Sequence, residues 1–191
     1  MRIKTIMLLA LLFTISCTMQ KYMVNLSPDQ IYKMKDSKIH YEEVVNTEGI
    51  DANELYLRSK LFIANAYVSS SDVTKFEDKE NGIIIVKALF PHAHNKFINR
   101  GRVTYTLKIE VKDNRYKYTI TDLRYKFNIK IEHINRDYDE DLIQWGFPMD
   151  GFQSKDHYDS IVKFHNDIHL HFSQLSNSIK EAMAKPRDTD W

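Results

Sequence analysis

Histidines at positions 165, 169 and 171 fall within one stretch of helical periodicity. His165 and His169 are one turn apart, the spacing that lets two imidazoles share a metal ion. Residues 166 to 168 are Asn, Asp and Ile, so the acidic partner of a His-Glu-x-x-His zinc motif is missing. His165 also lies within the apolar stripe of that stretch, the place of a core or boundary histidine with a satisfied ring. His92 and His94 join the set only if their loop reaches the helix. Asp137, Asp139 and Asp141 alternate as in a calcium loop, but Leu142 and Pro148 stand where the loop needs a glycine and a bidentate glutamate. A solvated acidic loop is the expectation there. The chain has no Gly-x-Ser-x-Gly and no glycine loop to cradle a phosphate. No catalytic residue, no cofactor and no metal are expected, with His165 and His169 as the metal candidates to examine.

Two further groups of residues suit binding. Lys108, Lys112, Arg115, Lys117, Arg124, Lys126 and Lys130 project from one face of alternating strands, against Glu110 and Glu132. That face is expected to be locally basic, either as an ordinary solvated strand surface or as a docking surface for an acidic partner. Trp145, Phe147 and Phe152, with Met149, place large apolar side chains in one loop. They form either a plug over the end of the core or an exposed aromatic contact.

The elements that must carry these groups can be read from periodicity. Val103, Tyr105, Leu107, Ile109 and Val111 alternate with polar residues, the signature of a strand with one buried face. Asp113-Asn114 makes a two-residue turn, since both types tolerate positive φ. The return strand starts with Tyr116, Tyr118 and Ile120 inward, then changes phase to Leu123, Tyr125, Phe127, Ile129 and Ile131. A slip of one residue requires a bulge or break near Thr121-Asp122, or every later side chain would change face.

Around this hairpin lie Lys38 to Val45 as a strand and a helix capped by Asp51, with Glu54 three residues on. Leu55, Ser59, Phe62 and Ala66 form that helix's stripe. Strands over Val73 to Glu77 and Ile83 to Phe90 follow, joined through Asn81-Gly82. The stretch from Pro91 to Gly101 and the stretch from Asn135 to Ser154 read as loops. A last helix runs from Lys155 to Ala184, with Tyr158, Ile161, His165, Ile168, Phe172, Leu175, Ile179 and Ala182 as its core stripe. The fold class is α+β: an antiparallel sheet of about five strands in β-α-β4-α order, with two helices packed on one face. At 191 residues the chain has room for one core.

The N-terminus carries an address. Arg2 and Lys4 precede the apolar run Ile6 to Ile15, the size of a signal-peptide core and too short to span a bilayer. Thr14-Ile15-Ser16-Cys17 resembles the lipobox of bacterial lipoproteins, although Thr14 replaces the usual leucine. The resemblance implies cleavage before Cys17 and lipidation of its thiol. The division expected is a signal peptide over 1–16, a tether with one short helix over 17–36, and one α+β domain over 37–186. Ser27, Pro28 and Gln30 mark the short helix. Loss of Arg2 and Lys4 with the signal lowers the 27 basic residues to 25, against 26 acidic ones. That balance gives no electrostatic case for nucleic acid.

The DANELYLRSKLFIANAY helix, the FEDKENGIIIVKA hairpin and the YTLKIEVKDNRYKYTITDLRY hairpin together resemble a family of bacterial envelope lipoproteins, domain of unknown function 4468. The resemblance covers about Val44 to Tyr125 and implies a fold like one half of the TATA-binding protein. It implies a Gram-negative cell-envelope address and brings no catalytic residues; fold alone assigns no function. The expected protein is a non-catalytic binding module, lipid-anchored and facing the periplasm, on the outer membrane rather than the inner. Its expected partners are the membrane through the N-terminal lipid and an envelope protein or anionic glycan. The alternative is an envelope hydrolase or metal-dependent protein using the clustered histidines.

Overall fold

A computed structural model describes residues 27–67, 73–92, 98–145 and 155–186. The signal segment, Cys17, His94, Phe147 and Phe152 lie outside the described residues. The central hairpin forms as its periodicity requires, but it is longer than the alternation alone showed. Strand β6 (Ile98–Lys112) pairs with β7 (Arg115–Ile131), and β6 already begins within the stretch read as a loop. Their turn is Asp113-Asn114, and of the two only Asn114 has positive φ, at 63°. Between Thr104 and Thr106 on β6, paired with Arg124 and Thr121, β7 holds one extra residue. Asp122 sits in that bulge with φ 55°. The bulge absorbs the phase slip, so Tyr116, Tyr118, Ile120, Leu123, Tyr125 and Phe127 are all buried on one face.

Four other strands complete the sheet. Strands β3 (Tyr41–Asn46), β4 (Thr74–Asp78), β5 (Ile83–Pro91) and β8 (Ile134–Asp141) give the order β3-β7-β6-β5-β4, with β8 also on β7. Every pairing is antiparallel. Strand β3 lies along residues 115–120 of β7 and β8 along residues 124–131, so the two share one edge on either side of the bulge. The sheet thus has six strands rather than five, because residues expected to form an acidic loop are the edge strand β8. Gly82, φ 65°, closes the β4–β5 turn; a Cβ there would stand 2.6 Å from the Val111 carbonyl oxygen.

Two helices cover one face. Helix α1 (Ala52–Ala66) is capped by Asp51, whose carboxylate accepts the Glu54 N–H at 2.7 Å. Leu55, Ser59 and Phe62 of the expected stripe are buried, whereas Ala66 is exposed and Ile63 takes its place in the core. Ser59 meets the second helix, with its hydroxyl 3.4 Å from Met183 Sδ. Helix α2 (Lys155–Ala184) buries Ile161, His165, Ile168, Phe172 and Ile179 as its spacing requires. Near its end the buried positions drift by one, to Ser176 and Met183, as a stripe on a straight 3.6-residue helix does over about eight turns. Phe172 rings meet Tyr41, Phe90 and Tyr105 of three strands. Its full burial contributes about 1.5 to 3 kcal/mol.

The segment read as a tether is part of the domain from Ser27 onward. A 3-10 turn (Pro28–Gln30) is held by the Ser27 N–H donating to Gln30 Oε1 at 2.8 Å. Tyr32 is buried, and β1 (Met34–Lys35) and β2 (Lys38–Ile39) then form a small hairpin. Asp36 and Ser37 take positive φ in its turn. His40 separates β2 from β3, so the Lys38-to-Val45 strand is two pieces.

Candidate functional site

Both helices pack on the face of Tyr41, Tyr105 and Tyr118, which leaves the opposite face of the sheet open among the described residues. Antiparallel partners point to the same side. Register therefore places Lys108, Glu110 and Lys112 of β6 beside Thr119, Lys117 and Arg115 of β7 on the open face. The bulge keeps Arg124, Lys126, Asn128 and Lys130 on that face as well. Strand β8 adds Asp141, Asp139, Asp137 and Asn135, opposite those four residues in turn.

This edge strand changes the electrostatics. Glu110 bridges Lys108 at 2.9 Å and Lys117 at 2.8 Å. Partial burial pushes its carboxyl up, but the two lysines outweigh that and hold it below the ordinary glutamate value. Asp139 accepts from Arg124 Nε at 2.6 Å and from Lys126 Nζ at 2.9 Å. The Lys126 hydrogen bond, then that of Arg124, holds its carboxyl below the usual range. Four of the seven expected cations are thus paired, and only Lys112, Arg115 and Lys130 lack an acidic partner among the described residues. The face expected to be locally basic carries acids among its cations, because β8 lays a row of aspartates along β7. Exposed pairs of this kind contribute less than about 1 kcal/mol each, so they set the surface potential more than the stability.

The open face is also apolar at one side. Phe76 of β4 is 48% exposed and Leu89 of β5 is 56% exposed, with Ile83 and Ile85 half-buried beside them. At the other side lies a cleft of about 700 Å³ lined by Arg102, Lys126, Phe127, Asn128, Lys130, Asn135, Asp137, Tyr138 and Asp139. A second bulge, between Asn99 and Arg102 of β6, adjoins it. Bulges bend the strand that carries them and raise its twist. Of the nine residues lining the cleft, Lys126 and Lys130 belong to the expected basic face and Asp137 and Asp139 to the expected acidic loop; the two sets were not brought together in the sequence, since β8 read as a loop.

The histidines serve the core. His165 is fully buried, its Nε2 2.8 Å from the Trp145 carbonyl and its Nδ1 2.7 Å from the Tyr32 hydroxyl. A carbonyl only accepts, so Nε2 carries the proton and Nδ1 accepts from Tyr32. His169 Nδ1 instead meets the Tyr41 hydroxyl, at 2.9 Å. The two imidazoles proposed to share a metal are therefore each turned to a different tyrosine. Burial, then the charge of Lys33, lowers the His169 pKa below the ordinary histidine value. His92 does reach α2: its ring lies 5.0 Å from Phe164, while His171 stacks on Phe90 at 3.6 Å. Burial pushes both of these rings toward the neutral form. Among the described residues no group of three or more His, Cys, Asp or Glu is placed to hold a metal ion.

Asp137, Asp139 and Asp141 bind within the fold: Asp137 accepts from Asn128, Asp139 takes the pairs above, and Asp141 accepts the Ile143 N–H. Trp145 is half-buried, its ring 4.6 Å from Phe127 and 5.3 Å from Tyr125. Of the two roles weighed for this side chain, it fills the plug over the end of the core.

The fold so built is TBP-like. Residues 41–126 match the family described as a domain of unknown function (DUF4468) with TBP-like fold. Two solved structures share the architecture. A TBP-like protein from Parabacteroides distasonis is 18% identical, with a TM-score of 0.61 over 82% of this chain and 99% of its own. A DUF4468 family protein from Bacteroides ovatus is 13% identical, with a TM-score of 0.57 over 84% of this chain and 94% of its own. These likenesses concern the fold. No curated protein matches the chain.

Proposed function

We propose that the chain is a non-catalytic binding module of a bacterial cell envelope. In this reading Cys17 is lipidated, the domain faces the periplasm from the outer membrane, and the open sheet face docks an envelope partner. The carrying observation is that face itself. Among the described residues helices cover the six strands on one side only, and the other side presents half-exposed Phe76 and Leu89 and, at the Asp113-Asn114 end, the unpaired cations Lys112 and Arg115. Half-exposed aromatic and aliphatic anchors on a face that also carries cations suit a partner with an acidic rim. The Trp145 loop is the less favoured contact because its indole packs on Tyr125 and Phe127. The metal-dependent alternative loses ground because His165 and His169 already bond Tyr32 and Tyr41.

A photoreactive residue placed at Thr106, in the middle of the open face, tests this in native envelopes. The comparison position is Leu170, 55% exposed on α2. Stoichiometric cross-links to one envelope component from Thr106 and few from Leu170 are expected. Equal or reversed yields would remove the sheet face as the docking surface. Replacing Cys17 by Ser should release the protein from the membrane fraction; unchanged fractionation would remove the lipid anchor.

A further inference from the structure

We infer that the cleft between β7 and β8 is a binding site for an acidic saccharide. This deepens the reading of the open face as a binding surface and rests on it. Arg102 and Lys126 stand directly opposite one another across β6 and β7. Like charges in that position disfavour the pairing. Asp139 relieves Lys126 alone, being 2.9 Å from its ammonium and shared with Arg124. Arg102 has no acidic partner among the described residues, and neither has Lys130 at the far end of the cleft. Two cations therefore line a cleft of about 700 Å³ without an anion of their own. Clefts of about 300 to 1,000 Å³ suit small ligands.

The rest of the lining selects the kind of anion. Between the two cations lie amides and carboxylates: Asn128 Nδ2 donates to Asn135 Oδ1 at 2.9 Å and to Asp137 Oδ1 at 3.0 Å. Each of those oxygens has a second lone pair for a hydroxyl donor, as polyols require. Phe127 and Tyr138 stack on one another at 4.7 Å with planes 4° apart, and the Arg136 guanidinium lies 5.9 Å from the Tyr138 ring. The tyrosine ring has a neighbour on either side and offers no free platform, which disfavours a nucleobase. A lining that pairs uncommitted cations with hydroxyl-matching acceptors fits a sugar bearing a carboxylate. Arg102 holds that carboxylate by its fork of N–H donors, and Lys130 adds a point charge.

Titration calorimetry of the full chain in detergent, at low salt, tests the assignment with three probes: a galacturonic acid trisaccharide, a neutral galactose trisaccharide and inorganic phosphate. The acidic trisaccharide should bind with a Kd of about 1 mM or tighter. The neutral sugar and phosphate should each bind at least about tenfold more weakly. The Arg102→Gln, Lys130→Gln double variant should lose at least about tenfold in affinity with its melting temperature unchanged or raised, since it also removes the like charge opposite Lys126. Equal affinity for acidic and neutral sugar, phosphate binding as tight as the trisaccharide, no measurable heat, or full affinity in the double variant would each overturn it. The reading of the face is tested separately. Cross-links from Thr106 that persist where the acidic sugar fails to bind would leave the docking surface standing and remove only the saccharide.

Discussion

Replacing Tyr32 by Phe removes one oxygen from a place where its absence should be felt across the domain. The Tyr32 hydroxyl faces His165 Nδ1 at 2.7 Å, and His165 has no solvent exposure. The Trp145 carbonyl fixes the proton on Nε2, so Nδ1 needs a donor and no water can replace Tyr32. An unsatisfied buried acceptor costs about 1 to 3 kcal/mol. At about 2 to 4 °C per kcal/mol for a domain of this size, the melting temperature should fall by about 2 to 12 °C. Urea unfolding at pH 7.5 measures the free energy directly, with an unchanged m-value as the sign that the folded state is preserved. Adding His165→Leu closes a double-mutant cycle, and the coupling should be at least about 1 kcal/mol because either single change strands a polar atom. A Tyr32→Phe loss under about 0.5 kcal/mol, or a cycle that is additive, would refute both the tautomer and the view that residues 27–39 are pinned to the core through this bond.

Other perturbations follow from particular geometries. Gly82→Ala places a Cβ at φ 65° and 2.6 Å from the Val111 carbonyl, so it should cost more than about 1 kcal/mol in urea unfolding. Asp122 holds φ 55° within the β7 bulge; Asp122→Val should destabilise by about 1 to 2 kcal/mol while Asp122→Gly should be neutral or stabilising. Burial keeps His92, His169 and His171 below their ordinary pKa in the fold. Below about pH 6.5 the unfolded chain therefore binds protons that the fold refuses, and stability should fall as pH drops through that window. Stability that is flat between pH 7 and 5, or unaltered in its slope by His171→Phe, would refute this.

The central hairpin and both helices were legible because burial on one face imposes a period. Val103 to Val111 and Ile161 to Ile179 repeat their apolar residues at that period without interruption. Even the bulge at Thr121-Asp122 could be inferred, since a phase slip has no other remedy in a strand with one buried face. Strand β8 carries no such period. Its core-side residues include Arg136 and Glu140, and Tyr138 is the one aromatic among them. It is held by backbone pairing to β7 and by the Asp139 pairs, and neither leaves an apolar signal in the chain. The β1–β2 hairpin was hidden for a related reason: its strands are two residues each, and Ser37 at positive φ is not a usual turn signal.

The missed strand decides how the site is read. Seven cations on alternating positions describe a basic surface only if the neighbouring strands are neutral. A strand's own sequence fixes which way its side chains point, whereas the charge facing them depends on the partner strand and its register. Register pairs Lys126 with Asp139 and Arg124 with Asp141, so the middle of the face is compensated. Pairing ends unevenly at Arg102 and Lys130, where β8 supplies no carboxylate in ion-pair reach. Among the described residues the cations without an ion pair therefore lie toward the ends of β6 and β7, Lys112 and Arg115 at one end and Arg102 and Lys130 toward the other. Charge reversal at Lys117 or Arg124 would disturb Glu110 or Asp139 before it touched a ligand. Changes at Arg102 and Lys130 break no ion pair among the described residues.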